Sequence, residues 1–289
     1  MLKQRIITAV ILLLGLILAT TLLSSFNFAI LIALLVLLGS WEWGGFIGLT
    51  DNKSRLAYSA TLAVMLVGLF FLLKVTPAAH SIDSLRASLI LGLGLLFWLM
   101  VSLMLKDYPH NAELWNDKSK IAIMGLLTLL PTWVGIVQLK YLFEQGYLVF
   151  ALVIMVAAVD IGAYFAGTLF GHTKLAPRLS PNKSWEGVWG GLSLSLLLGL
   201  LLIWALHTYL LKLDPLQIGL LILLSLAVIF FDVIGDLVES MLKRNRNIKD
   251  SGALLPGHGG ILDRVDGLVA VIPSFVLTLQ LVLPDLGDL

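Results

Sequence analysis

Cysteine is absent from the 289-residue chain, which excludes disulfides, thiolate metal centres and a cysteine nucleophile and leaves the redox compartment undetermined. Charge is scarce as well. Asp, Glu, Lys and Arg make up 13% of the residues, about half the usual share. Hydrophobic residues reach 59% and the mean hydropathy is +0.98. A soluble fold of this length could not hide so much apolar surface, whereas a bilayer can. The net charge of +1 says little about partners, because the charges are segregated along the chain; membrane lipids are expected as partners and nucleic acid is not. No internal repeat, low-complexity tract or flexible linker interrupts the sequence. Residues 1–289 therefore read as one integral membrane domain, with 1–150 supplying N-terminal spans and 151–289 adding spans and the polar loops of a site.

The expected fold class is all-α, a polytopic membrane protein of about nine transmembrane helices. A bilayer core takes roughly 20 mostly apolar residues per helix. Nine stretches qualify, at about 6–24, 27–48, 57–75, 87–105, 120–139, 147–170, 187–210, 216–238 and 262–283. The first could pass for a signal peptide, but its apolar run is long and lacks a small-residue cleavage pattern, so it reads as a retained span. Fifteen of the 19 basic residues fall at the N-terminus and in four loops on one side. Only Lys74, Arg86, Lys140 and Lys212 fall on the other, with the acidic Asp285 and Asp288. The positive-inside rule then places the N-terminus in the cytoplasm and the C-terminus outside.

Two loops on the cytoplasmic side are richer than a passive scaffold needs. The first runs from Gly171 to Gly187 and the second from Glu239 to Asp266. Asp232, Asp236 and Glu239 are spaced to share a helix face. Asp263 and Asp266, three apart, are expected on one side at the start of the last span. An ionised Asp inside a membrane helix costs roughly 2.5–3.5 kcal/mol on insertion scales, so it needs a partner. That partner is either a cation or neighbouring Lys and Arg. Oxygen ligands without Cys suit Mg²⁺. Asp160, inside the sixth span, is expected to face the same cavity, and Glu42 reads only as an interfacial acid. His80, His110 and His207 lack any motif around them.

Lys243, Arg244, Arg246 and Lys249 form a basic cluster that could serve purely as a headgroup anchor. Pro256-Gly257-His258-Gly259-Gly260 follows directly, a tight turn whose backbone N–H groups could also nest a phosphate. Acids, cations and glycines within about thirty residues suit a metal-assisted polyphosphate site. In the first loop, Lys183 and Ser184 sit on a proline-stiffened turn as plausible nucleotide contacts, while Trp185 and Trp189 read as interfacial belt residues.

The run Ser240-x-Leu242-Lys243-Arg244-x₄-Lys249-Asp250-x-Gly252-x₂-Leu255-Pro256-x-His258-Gly259-Gly260-Ile261-x-Asp263-Arg264-x-Asp266 resembles the signature of the phosphatidate cytidylyltransferases, or CDP-diacylglycerol synthases. Gly235-Asp236, the Ser180–Gly187 stretch and the length resemble the bacterial members, although Asn182 and Ser184 stand where many relatives carry Lys and Thr. The resemblance implies a nucleotidyltransferase of phospholipid biosynthesis in the cell inner membrane, with its site facing the cytoplasm. Its substrates would be CTP and phosphatidate, and a homodimer would be compatible with it. Asp236, Asp263, Lys243 and Arg264 would carry catalysis. Asp236 and Asp263 would be the chief Mg²⁺ ligands with Asp266 beside them, and a second cation such as K⁺ is suspected in the family. Lys183, Ser184, Ser240, Arg244, Lys249, His258, Gly259 and Gly260 would contact substrate. Two rival readings use the same residues: an intramembrane prenyltransferase holding a diphosphate through Asp232 and Asp236, and an anionic-solute transporter.

Overall fold

The computed structural model describes residues 2–106, 108 and 115–283. Asp285, Asp288 and His110 lie outside the described residues. Among the described residues there are nine α-helices: α1 (Leu2–Leu22), α2 (Ser25–Ile47), α3 (Asn52–Leu72), α4 (Ser84–Leu105), α5 (Lys118–Leu142), α6 (Tyr147–Phe170), α7 (Trp185–Ala205), α8 (Pro215–Asn245) and α9 (Asp266–Val282). Seven of them, α2 to α8, are long and apolar enough to cross a membrane; Val10–Leu22 within α1 and Asp266–Val282 are shorter apolar helices. The chain is an all-α polytopic membrane protein.

Local chemistry sets the helix starts. Ser24, Asp51, Asp83, Asp117, Ser184 and Asp214 each accept a hydrogen bond from an amide in the first turn they precede, satisfying donors that a helix start leaves open. Pro131 and Pro273 lie inside α5 and α9 without ending them, as membrane bundles tolerate. Helix α5 is central, with 72% of its most apolar stretch buried, against 11% for α3 at the periphery. Around it, α2 packs on α5, α6 on α7 and α8 on α9.

Three departures from the sequence reading bear on the site. Helix α8 continues seven residues past the expected end at 238, so Glu239, Ser240, Lys243 and Arg244 are helical rather than in a loop. The last span begins at Asp266, preceded by a 3₁₀ turn at Leu262–Arg264. The first polar loop is a small antiparallel hairpin, β1 (Lys174–Ala176) and β2 (Ser180–Ser184), that pairs Lys174 with Ser184 and Ala176 with Ser180.

Candidate active site

The C-terminal half of α8 builds one wall. Asp232, Asp236, Glu239 and Lys243 follow at four, three and four residues, so their side chains share a face. Helix α9 crosses this wall closely because Gly235 and Gly267 face it. A Cβ at Gly235 would meet the Asp266 carbonyl, and one at Gly267 would meet the Asp232 carboxylate. The crossing brings Asp266 into the electrostatic range of Asp232, Asp236 and Glu239. Asp160 of α6, exposed on its helix, interacts with Lys183, Asp236 and Arg264, in agreement with its expected orientation.

Two lysines answer these carboxylates. Lys183, carried on β2, forms an ion pair with Asp236, whose other oxygen accepts from Ser240 Oγ at 3.2 Å. Burial works against the charged form of Lys183. The Asp236 carboxylate, backed by Asp232 and Asp266, outweighs that and holds the ammonium above the usual lysine range. Lys243 bridges two elements, reaching Glu239 at 3.0 Å and Asp263 at 2.8 Å. Asp263 also accepts from the amides of Ser251 and Gly260, both at 2.8 Å, and from Ser251 Oγ at 3.0 Å. Burial raises its carboxyl; the Lys243 ammonium and the two amides more than reverse this and leave it below the usual aspartate value.

The glycine-rich turn behaves differently from the nest expected of it. Gly260 donates its N–H to Asp263, and the amides of Ile261 and Leu262 both donate at 3.0 Å to Glu42. These donors are fixed on carboxylates of the protein, so they do not cradle phosphate. Gly259 has φ +82°, and a Cβ there would meet Asp263; glycine is what lets the turn close over that carboxylate. The His258 carbonyl accepts from Arg264 Nε and Nη2 at 3.2 and 3.1 Å.

Several expected contacts have other work. Ser184 is buried and caps α7 through the Gly187 amide at 3.2 Å, so its hydroxyl is engaged in the fold. Asp263 and Asp266 do not act as a pair: the first holds the turn and Lys243, the second faces α8. Arg246 donates to the carbonyls of Phe46, Ile47 and Asn116, closing the C-terminal end of α2 where a cation suits the helix dipole. Arg244 and Lys249 are exposed, and among the described residues neither is in an ion pair. Glu42 was legible only as an acid near a helix end. It is 2% exposed and is the acceptor around which Ser251, Ile261 and Leu262 converge.

Carboxylate oxygens with no sulfur ligand are the donor chemistry Mg²⁺ prefers. Asp160, Asp232, Asp236 and Asp266 lie around the Lys183 ammonium, with Arg264 also in range of Asp160, so acids outnumber basic groups in the cluster. Among the described residues, however, no three acidic or histidine side chains are already gathered as a metal-binding group. The donor types fit the ion, although both oxygens of Asp236 are already engaged by Lys183 and Ser240, and both of Asp263 by Lys243, Ser251 and Gly260.

Membrane-crossing helices that gather carboxylates and ammonium groups where α8 meets α9 define an integral membrane protein with a charged cluster at one end of that pair. A profile described as "Cytidylyltransferase family" matches residues 3–282. The chain is 43% identical over 280 residues to the phosphatidate cytidylyltransferase of Pseudomonas aeruginosa, covering 96% of this chain and 97% of that one. It is 36% identical over 287 residues to the Haemophilus influenzae protein of the same name, covering 95% and 97%. A Bacillus subtilis relative of that name is 38% identical over 165 residues, covering 55% of this chain and 59% of its own. The chain belongs to the cytidylyltransferase family, a family of nucleotidyl-transferring enzymes.

Proposed function

We propose that the chain transfers the cytidylyl group of CTP to phosphatidate, giving CDP-diacylglycerol and pyrophosphate, where α8, α9 and the β-hairpin meet. The observation that carries this reading is the pairing of Lys183 with Asp236 and of Lys243 with Glu239 and Asp263, in a chain matched nearly end to end by relatives of that name. Family membership sets aside the prenyltransferase and transporter readings. The basic bias of the loops supports a cytoplasmic N-terminus, an outside C-terminus and a site facing the cytoplasm in the inner membrane.

No protein nucleophile is needed, since the lipid phosphate is already an anion. One of its oxygens bonds to the α-phosphorus of CTP, the bond from that phosphorus to the bridging oxygen breaks, and pyrophosphate leaves with the electron pair. The protein's work is to hold two anions together and oppose the charge that develops. Lys243 and Arg264 stand beside the turn and can exchange carboxylate or carbonyl contacts for phosphate oxygens. Lys183 does the same from the hairpin side, with Ser240 orienting Asp236. Arg244 and Lys249, exposed near the end of α8, draw the nucleotide in. Asp236, Asp263 and Asp266 are the residues that would hold Mg²⁺, which would supply neutralisation of the phosphate charge.

The test is purified protein with radiolabelled CTP and phosphatidate in detergent, with and without Mg²⁺. Labelled CDP-lipid that depends on the metal is the expected result; its absence from folded protein rejects the proposal. Asp263→Asn should abolish turnover. If raised Mg²⁺ restores it, Asp263 is a ligand; if not, its part is to hold Lys243 and the turn.

A further inference from the structure

Ile234 and Leu237 lie on α8 between the carboxylates but point elsewhere. At about 100° per residue, they fall on the side of the helix turned away from Asp232, Asp236 and Glu239. There they line an open groove of about 680 Å³, bordered also by the end of α4 and by the β1–β2 turn. Leu105 and Leu175 continue the apolar wall, and Lys106 and Arg178 stand at its rim. Both cations are exposed, and among the described residues neither is in an ion pair. Lys106 follows the last residue of α4 directly, a position where basic side chains meet lipid headgroups.

A groove with an apolar wall and two positive charges at a helix end, unpaired among the described residues, matches one class of ligand, an amphiphile with acyl chains and an anionic head. Free phosphate would leave the apolar wall unused. A phosphate seated between Lys106 and Arg178 has the body of α8 between itself and the acidic face, so the occupant is held without reacting. We propose that this groove is a second lipid site, which takes a bulk anionic glycerophospholipid through its phosphodiester and braces the hairpin that carries Lys183 against α8.

The test scores bound lipid and not turnover, so its failure leaves the transfer reaction untouched. Delipidated full-length protein in neutral micelles is titrated with phosphatidylglycerol, phosphatidylcholine or phosphatidate, and retained lipid is counted by native mass spectrometry. Wild-type protein should retain one phosphatidylglycerol in preference to phosphatidylcholine. The double variant Lys106→Ala/Arg178→Ala should bind it roughly ten- to thirtyfold more weakly, the effect expected of two basic groups at an anionic lipid. Ile234→Trp, which fills the trough and keeps the charges, should lose it as well. Equal retention by wild type and double variant would overturn the assignment, as would a preference for phosphatidate that depends on Lys106 and Arg178.

Discussion

Glu42 shows how far a single side chain can govern a loop remote in sequence. Its two oxygens receive Ser251 Oγ, the Ile261 amide and the Leu262 amide, some 210 to 220 residues away. Glu42→Gln would set an amide N–H₂ against one of those donors, and leaving a buried donor unmatched costs about 1–3 kcal/mol. Turnover should fall sharply while the unfolding temperature falls only modestly, a pair of readings that separates a displaced turn from a lost helix. Sequence reasoning singled out Asp236, Asp263, Lys243 and Lys183 because acids and cations gather in and beside two polar loops, and the structure joins them in ion pairs. It did not foresee that the Gly260 amide is spent on Asp263 or that Glu42 anchors the turn, because what an amide or a lone acid contacts depends on helices far apart in the chain. Arg246 taught the same lesson: it sat in a basic run, and only the fold shows that it closes α2. Arg246→Ala should lower stability by about 2 kcal/mol, the scale for losing charged hydrogen bonds, with the change read in thermal unfolding.

At the scale of elements, the crossing of α8 and α9 decides whether the carboxylates converge. Gly235 lies against the backbone of Asp266, which cannot move aside as a flexible side chain could. Gly235→Ala should therefore separate the helices, cost about 1–3 kcal/mol as overpacking does, and raise the Mg²⁺ concentration needed for half-maximal turnover. Gly219, with open space around it, provides the control, and Gly219→Ala should leave that concentration unchanged. Hydropathy located all nine helices, since a long apolar run reports itself. It could not fix the ends of α8 and α9. There the helix leaves the apolar stretch, and hydrogen bonds to caps and turns, not hydrophobicity, set the boundary. The hairpin was equally hidden, being short and polar.

For the whole molecule, the missing cysteines become an experimental convenience. Single cysteines replacing Lys53, Lys174 or Lys249 should react with a membrane-impermeant maleimide only from the cytoplasmic side. A cysteine replacing Lys212 should react only from outside. Labelling in the opposite sense would reverse the topology. The buried Lys140 is a poor probe, because its ammonium is bound to the carbonyls of Thr20 and Glu144 and ties α5 to the end of α1.

Helix α8 has 31 residues, about 46 Å at the usual rise, against a hydrocarbon layer near 30 Å. The turn bearing Glu239 and Lys243 therefore stands clear of the oil only where the surrounding lipids are short enough to leave it uncovered. In vesicles of progressively longer acyl chains the same enzyme should slow, as that turn is drawn under the surface or the helix leans over to avoid it. An enzyme that makes lipid precursors would in this way read the thickness of the sheet its own product helps to build.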